Sequence, residues 1–423
     1  MEELNFPKNF FWGSATSAHQ VEGGNHNDWT EWEKENALRL AENARLNPPQ
    51  EGFSDYNLKN YPSPLQKENY ISGRACDHYN RFREDFDIAK SLGHNAHRFS
   101  IEWSRIEPEE GKFDEKEIEH YREVIKALRE RGLEPFGTLW HWTIPLWMRD
   151  KGGAESREFP KYFSRFSKKM AESLPEIKFW MTLNEPTSVI ANSYKRGLWP
   201  PQRKSILSAL RVFKILASAH IEAYNAIHSV NLDAEVGFGN IMNFVEPYSK
   251  NPLTVLAAKF RNYWSNEYFL KLTGDTHDFY ALQYYFHFKI AFPQKIKNKN
   301  KWTSDMGWEI YPEGIYPLLK RIGKYKKPIY ITENGVADAK DIHREKFIKE
   351  HLKWVSKALQ EGIDVRGYFY WSLLDNFEWD KGFWPRFGLV EIDYKTMERH
   401  IRPSAWKFKE IIQKSEELSK VAP

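Results

Sequence analysis

The chain has 423 residues, of which 41% are hydrophobic and 28% are charged. This composition is typical of a globular protein and argues against disorder, and the length suits one barrel domain with insertions in its loops. The 62 basic and 58 acidic residues leave a net charge of +4, without a basic stripe of the kind that binds nucleic acid. The single cysteine, Cys76, excludes an intrachain disulfide.

The beginning of the chain lacks the basic and apolar segments of a secretory signal, and its apolar runs are too short to cross a membrane. Together with the lone cysteine, these features predict a cytoplasmic location. A weak peripheral contact with an anionic membrane stays compatible with the small excess of positive charge. The sequence carries no signature of an oligomeric state.

Eight short apolar runs, rich in β-branched and aromatic residues, alternate with segments of helical periodicity. Such runs are typical of strands that are covered on both faces of a parallel sheet. They cover residues 10–18, 95–101, 134–140, 179–185, 235–242, 279–285, 328–333 and 365–373. Eight strand–helix units predict an α/β fold, a single closed (β/α)8 barrel over residues 1–423. A doubly wound open sheet is the alternative that the pattern leaves open.

Helix ends are also visible in the sequence. One predicted helix begins after Asp114, a suitable N-cap, and ends at Gly132. Residues 36–72 and 243–277 are the least regular segments, and we predict them to be loop insertions. Each could be a lid over a site or a covering loop without a chemical role.

Two of the predicted strands end in a glutamate beside an asparagine. Glu185 follows Asn184, and Glu333 precedes Asn334. The carboxyl ends of barrel strands share one face, so these glutamates can meet in one pocket. Cleavage of a glycosidic bond needs such a pair, one carboxyl as proton donor and the other ionised, to attack the sugar or to activate water. A pair of solvated surface glutamates is the alternative.

Other polar and aromatic side chains fall at predicted strand ends. Arg98 could keep a carboxylate ionised, or could form a structural ion pair with Glu102 or Asp85. His141 could contact a sugar hydroxyl or be an ordinary core histidine. Trp371, with Glu378 close behind it, suits a sugar ring that stacks on an indole. The full set is Gln20, Arg98, His141, Tyr285, Trp371 and Glu378, and no group in the sequence has the spacing of metal ligands.

Several short motifs, taken in order, resemble glycoside hydrolase family 1, the β-glucosidase and β-galactosidase type. Each string is short, but together they are specific and cover nearly the whole chain. They are FFWGSATSAHQVEG at 10–23, DHY at 77–79, RFSIEWSRI at 98–106, TLNEP at 182–186, ITENG at 331–335, YWSLLDNFEW at 370–379 and RFGL at 386–389.

This resemblance implies a (β/α)8 barrel and a retaining double displacement of a small-molecule β-glycoside, without a metal or other cofactor. Glu333 resembles the nucleophile and Glu185 the acid/base. Arg98, Tyr285 and Asn184 resemble the residues around the nucleophile, with Asn184 as the donor to the sugar 2-hydroxyl. The implied sugar-binding set is Gln20, His141, Trp371, Glu378, Trp379 and Phe387. A carboxylate at position 378 implies a substrate without a 6-phosphate.

The sequence also departs from the family pattern. Gln283 stands where asparagine is usual, and the segment 243–277 is short, which would open the entrance. An apolar entrance favouring hydrophobic aglycones, or else buried packing, could account for Trp199, Phe260, Trp264 and Trp384. The main functional alternative is a sugar-binding barrel without turnover. A lysine- or metal-dependent barrel lyase lacks the strand-end residues that it would need.

Overall fold

The computed structural model describes residues 4–49 and 52–421. The remaining positions of the predicted domain, including residues 50 and 51 of the predicted insertion 36–72, lie outside the described residues. Eight parallel strands close into a barrel in the order β1-β11-β10-β7-β5-β4-β3-β2. These strands are β1 (Phe11–Ala15), β2 (Ala96–Ser100), β3 (Glu134–Trp140), β4 (Phe179–Asn184), β5 (Glu235–Ile241), β7 (Tyr280–Gln283), β10 (Ile329–Asn334) and β11 (Val365–Trp371).

This closed order confirms the predicted (β/α)8 barrel and excludes the open sheet. Each predicted run overlaps one barrel strand, and only β10 extends past its run, by one residue to Asn334, because buried parallel strands need apolar side chains on both faces. Two small sheets lie outside the barrel. One contains β6 (Phe244–Pro247), β8 (His287–Ala291) and β9 (Lys295–Ile296), and the other contains β12 (Val390–Ile392) and β13 (Arg399–Ile401).

Fifteen α-helices are found in the described part of the chain, and the long ones pack around the barrel. The first eight are α1 (Ala18–Val21), α2 (Asp28–Leu46), α3 (Asp55–Lys59), α4 (His78–Ser91), α5 (Trp103–Ile106), α6 (Glu115–Glu130), α7 (Leu146–Asp150) and α8 (Phe159–Ser173). The others are α9 (Pro186–Val189), α10 (Ile206–His228), α11 (Pro252–Asn262), α12 (Tyr268–Thr273), α13 (Ile315–Ile322), α14 (Arg344–Gln360) and α15 (Pro403–Val421).

The predicted ends of the helix after β2 are confirmed. Asp114 accepts a hydrogen bond from the backbone N–H of Lys116 at 2.8 Å at the start of α6. Gly132 has a φ of +67°, the left-handed conformation that lets the chain leave a helix.

The two segments predicted to be irregular contain more regular structure than expected. Residues 36–46 continue α2, which is capped by a reciprocal pair of hydrogen bonds between Asn27 and Thr30. The segment 243–277 holds β6, α11, a turn of π-helix at Tyr263–Glu267, and α12, and so forms the connection from β5 to β7. These helices are short, with 11 residues in α11 and 6 in α12, so each shows few turns of the helical period in the sequence.

A layer of aromatic side chains fills the lower part of the barrel interior. Phe136 and Phe179 stack with their ring centroids 4.3 Å apart. The same cluster includes Phe11, Phe279, Tyr330 and Phe369. This layer leaves the polar side chains at the strands' carboxyl ends as the groups that line the mouth.

No helix in the described residues is both long enough and apolar enough to cross a membrane.

Candidate active site

The two glutamates lie at the carboxyl ends of their strands and are both buried. Glu185 follows β4 directly, with a φ of +41°, and its backbone N–H donates to the carbonyl of Gly239 at 2.8 Å. The Ser188 hydroxyl donates to Oε2 of Glu185 at 2.8 Å. Glu333 lies on β10, opposite Gln283 of β7. The fold thus brings both side chains to the same face of the barrel.

Three donors surround the Glu333 carboxylate. Arg98 forms a buried ion pair with Oε1 through Nη1, and the side-chain amide of Gln283 donates to the same oxygen at 2.8 Å. The hydroxyl of Tyr285 donates to Oε2 at 2.9 Å. Hydrogen bonds from charged and neutral donors favour the ionised form of a carboxyl group.

Asn184 links this cluster to the neighbouring strand. Its Oδ1 accepts from Nη2 of Arg98 at 2.7 Å and from Nε2 of Gln283 at 2.7 Å. Its Nδ2 lies 3.0 Å from Nε2 of His141. Because Oδ1 faces the two donors, the amide is oriented with Nδ2 toward the imidazole, which can accept that hydrogen bond as a neutral ring.

The two carboxyl groups differ in their electrostatic surroundings. Burial and the neighbouring charge of Glu333 raise the pKa of Glu185 well above its ordinary value. Burial also raises the pKa of Glu333, but Arg98 and the Tyr285 hydroxyl oppose that shift. Glu333 therefore loses its proton before Glu185 does, so there is a range of pH in which one carboxyl is ionised and the other protonated.

The predicted sugar-binding residues from both ends of the chain meet beside this pair. Nε2 of Gln20 donates to the carbonyl of Phe377 at 2.8 Å and lies 3.4 Å from Oε2 of Glu378. The His141 ring is nearly parallel to those of Trp371 and Trp379, with centroids 5.9 and 6.1 Å away.

Three further features belong to the same group of predicted sugar-binding residues. Phe387 is buried in one cluster with Trp371. The peptide bond between Trp371 and Ser372 is cis. Burial, Glu333 and Asp380 raise the pKa of the Glu378 carboxyl to about 8.

Arg98 pairs with Glu333, and not with Asp85 or Glu102, the two structural partners that the sequence also allowed. Asp85 pairs with His78 and Arg399 instead. Glu102 accepts hydrogen bonds from Thr143 and other neutral donors. Arg98 therefore belongs to the group of polar side chains at the mouth of the barrel. Its position on the strand alone allowed this role or a structural ion pair.

Two residues of the site, Trp142 and His19, were not among the candidates predicted from the sequence. Trp142 donates from Nε1 to the backbone carbonyl of Asn184 at 2.8 Å and so holds the end of β4. His19 stacks on Trp379 at 5.4 Å and 12°. Both are sequence neighbours of predicted residues, Trp142 of His141 and His19 of Gln20, and that adjacency was the available signal.

The four aromatic residues considered for an apolar entrance divide between the two alternatives, because two of them are buried packing and Phe260 is exposed. Trp199 is buried against Trp29 and Trp142, and Trp384 is buried against Phe53. They serve as packing because neighbouring aromatic rings cover them. Phe260 is 58% exposed, and Trp264 beside it is partly buried.

No group of three or more side chains suited to hold a metal ion is found within residues 4–49 and 52–421.

A parallel eight-stranded barrel with two buried glutamates at its carboxyl mouth has the design of a barrel glycosidase. The model of glycosyl hydrolase family 1 matches residues 2–283 and 278–417, and the chain belongs to that family.

Individual relatives support the same family assignment. Beta-glucosidase A of Thermotoga maritima is 32% identical, over 98% of this chain and 99% of its own. The structure of a beta-glycosidase from Pyrococcus horikoshii is 37% identical with a TM-score of 0.85, covering 98% of this chain and 96% of that one. The Thermotoga maritima beta-glucosidase in complex with glucoimidazole has 31% identity and a TM-score of 0.84, covering 97% and 99%. The protein is a β-glycosidase.

Proposed function

We propose that this β-glycosidase is a retaining exo-enzyme that hydrolyses β-D-glucosides and related unphosphorylated β-glycosides. The observation that carries the proposal is the contrast between the two carboxyl groups. Glu333 has three hydrogen-bond donors, whereas Glu185 has one hydroxyl donor and a strongly raised pKa. An ionised nucleophile beside a protonated acid is the starting state of a double displacement.

In the first step, a carboxylate oxygen of Glu333 forms a bond to the anomeric carbon. The bond from that carbon to the aglycone oxygen breaks, and the oxygen takes the proton of Glu185. The covalent ester has no charge at Glu333, so the pKa of Glu185 falls. Glu185 then takes a proton from water, the water oxygen bonds to the anomeric carbon, and the ester bond breaks. Two inversions give a product with the β configuration.

The surrounding side chains support binding of one terminal sugar. The second N–H of Asn184 Nδ2 is available to a 2-hydroxyl, because the first faces His141. Gln20 joins the loop at Phe377 and Glu378, which closes the wall behind the ring and favours an exo mode of action. A 6-phosphate beside Glu378 would lie near the negative charge of Asp380, and the nearby Lys381 is already paired with Asp380.

A preference for hydrophobic aglycones rests on one exposed face. Leu253, Leu256 and Phe260 follow each other at helical spacing on α11 and are all more than half exposed. The segment follows the carboxyl end of β5, on the side of the barrel mouth. The alkyl or aryl aglycone of a bound substrate, where it extends out of the sugar pocket, would cover part of that apolar surface and remove it from water.

The decisive experiment follows an aryl β-glucoside with the wild type and with Glu333→Gln and Glu185→Gln. We expect Glu333→Gln to lower kcat by about 10⁴-fold or more, while sugar binding persists in calorimetry. NMR of the first wild-type product should give the β anomer. A Glu117→Gln variant, whose side chain bonds to Tyr79 outside the site, should retain wild-type rates.

Three results would contradict this proposal. An α anomer as first product would mean inversion. An unchanged rate in Glu333→Gln would remove the nucleophile. Sugar binding by the wild type without any hydrolysis would make the protein a sugar-binding barrel.

A further inference from the structure

Gln283 is fully buried at the end of β7, between β10, which carries Glu333, and β5, which carries Gly239. Its Nε2 lies 2.8 Å from Oε1 of Glu333 and 2.7 Å from Oδ1 of Asn184. A primary amide has two N–H groups, so each acceptor receives one of them. Gln283 therefore joins the carboxylate on β10 to the amide at the end of β4.

Arg98 closes these contacts into a ring. Its Nη1 bonds to the same Oε1 of Glu333, and its Nη2 to the same Oδ1 of Asn184. Both oxygens thus accept from one guanidinium N–H and one amide N–H. A reversed Gln283 amide would turn its own oxygen toward two acceptors, so the ring fixes the orientation of this side chain.

Gly239, which has no side chain, leaves room for the side chain of Gln283, which is longer than the asparagine usual at this position. A Cβ atom added to Gly239 would lie 2.8 Å from both Oδ1 of Asn184 and Nε2 of Gln283. Contacts this short do not occur at real Cβ atoms, and here they would fall on the ring itself. The glycine on β5 is the reason that the two amides can meet above that strand.

The ring treats the two oxygens of Glu333 differently. Oε1 accepts from Arg98 and Gln283, which occupies both of its in-plane lone pairs, whereas Oε2 accepts from Tyr285 alone among the described residues. Oε2 keeps a lone pair that can form a bond to carbon. The donors on both oxygens, two on Oε1 and one on Oε2, also hinder rotation of the carboxylate about its terminal bond.

We infer that Gln283 is a positioning residue of the glycosidase reaction: it fills the second acceptor position on Oε1 of Glu333 and so leaves Oε2 to attack the anomeric carbon. This inference rests on the proposed function. In the step concerned, the bond from Oε2 to the anomeric carbon forms as the bond to the aglycone oxygen breaks. The proton for the leaving oxygen comes from Glu185. Gln283 exchanges no proton or electron and acts only through Glu333.

The test is the pH dependence of kcat/KM for Gln283→Met, which keeps the side-chain length but has no donor. We expect kcat to fall about 10- to 100-fold, with KM changed less than threefold or so, because the lost contact acts on the reacting oxygen. The acidic limb should move up by about 0.5 to 1 pH unit, since the ionised form of Glu333 has lost one donor.

Gln283→Asn provides the conservative comparison. It retains the amide but is shorter by one methylene, so it can reach one acceptor and not both. We expect an acidic limb and a kcat between those of the wild type and Gln283→Met. Thr332→Val removes a buried hydroxyl without a hydrogen-bond partner one residue before Glu333, and it should leave the pH profile as in the wild type.

A Gln283→Met profile that superimposes on the wild type would overturn the inference. A lowered rate with an unmoved acidic limb would also overturn it, because that result assigns Gln283 to packing alone. If Gln283→Met does not fold, the same criteria apply to Gln283→Asn. Loss of the proposed function would be recognised separately, by a Glu333→Gln variant that still turns over at the wild-type rate.

Discussion

Glu185 and Glu333 have the same side chain and similar burial, but their neighbours shift their pKa values to different extents. Glu333 faces a guanidinium and two neutral donors, whereas Glu185 faces one hydroxyl and the charge of its partner. Their titration belongs to the pair, so the two limbs of a pH–rate profile report the cluster. We expect activity to fall toward acid as Glu333 is protonated, and toward alkali as Glu185 loses its proton.

Glu185→Gln should be more stable than the wild type at neutral and alkaline pH. The pKa of Glu185 is raised in the folded chain from an ordinary value of 4.5. Between these two pKa values the unfolded chain releases the proton and the folded chain keeps it, so wild-type stability falls as pH rises.

The melting temperatures of the two proteins, measured by calorimetry from pH 5 to 8, check this prediction. The gain of Glu185→Gln in free energy of unfolding should grow by up to about 1.4 kcal/mol per pH unit. A gap that stays constant over this range would mean that Glu185 is charged in the folded protein throughout.

Position at a strand end was enough to find most of the site. Asn184, Glu185 and Glu333 close predicted strands, and the barrel brings them to one face. Gln283 was noticed only as an unusual residue, because its role depends on the free space at Gly239 on another strand. Trp142 acts through a backbone carbonyl, and such a contact leaves no pattern in the sequence.

The loop that follows β11 is held by one buried carboxylate. Asp375 accepts from Arg402 at 2.9 and 3.0 Å and from Arg386 at 3.3 Å. Burial opposes its ionisation, but Arg402 and Arg386 hold the pKa of Asp375 below its ordinary value. The same carboxylate accepts from the backbone N–H of Gly388 at 2.9 Å. The anchored loop carries Glu378 and Trp379.

Asp375→Asn should therefore destabilise the protein and impair the sugar pocket together. Loss of the charge removes the carboxylate that faces the buried guanidinium of Arg386 and leaves that of Arg402 with the more distant Glu391, at 3.8 Å, which costs about 3–5 kcal/mol. Thermal unfolding and KM for an aryl glucoside provide the measurements, and KM should rise. Asp364→Asn breaks an exposed pair with Arg366 and should cost less than about 1 kcal/mol. Equal effects of the two changes would contradict the role given to Asp375.

Strands were predicted better than connections. A buried parallel strand needs an unbroken apolar run, and that signal is local. The segment 36–72 is irregular by its sequence pattern, yet residues 36–46 extend α2 because Leu40 and Ala44 pack against a tryptophan-rich cluster. Packing against distant aromatic rings stabilises this helix, and a local pattern does not contain that information.

The barrel as a unit places its sugar pocket deep and its apolar helix α11 outside. The aromatic layer around Phe136 closes the bottom, so a substrate enters and leaves only through the mouth. The aglycone must then lie toward the loops that follow the strands. Part of the apolar surface on that side, at Leu256 and Phe260, is open to water.

This arrangement predicts that kcat/KM rises with the alkyl chain length of β-glucosides. Each buried methylene is worth about 0.8 kcal/mol at most, so a two- to fourfold gain per carbon is the upper range. A series from methyl to octyl glucoside, below the concentration at which micelles form, checks it. Phe260→Ser should flatten the series, whereas Leu232→Ser, which alters an exposed leucine after α10, should not. A flat series in the wild type would exclude the preference.

The pairing of β1 with β11 and β2 brings residues near the two termini into direct contact. Gln20 bonds to the carbonyl of Phe377, more than 350 positions away. During synthesis on the ribosome, the pocket cannot assemble until the strand that carries Trp371 has emerged from the exit tunnel. We therefore expect translation products that end before Trp371 to have no sugar-cleaving activity, so that hydrolysis reports closure of the barrel.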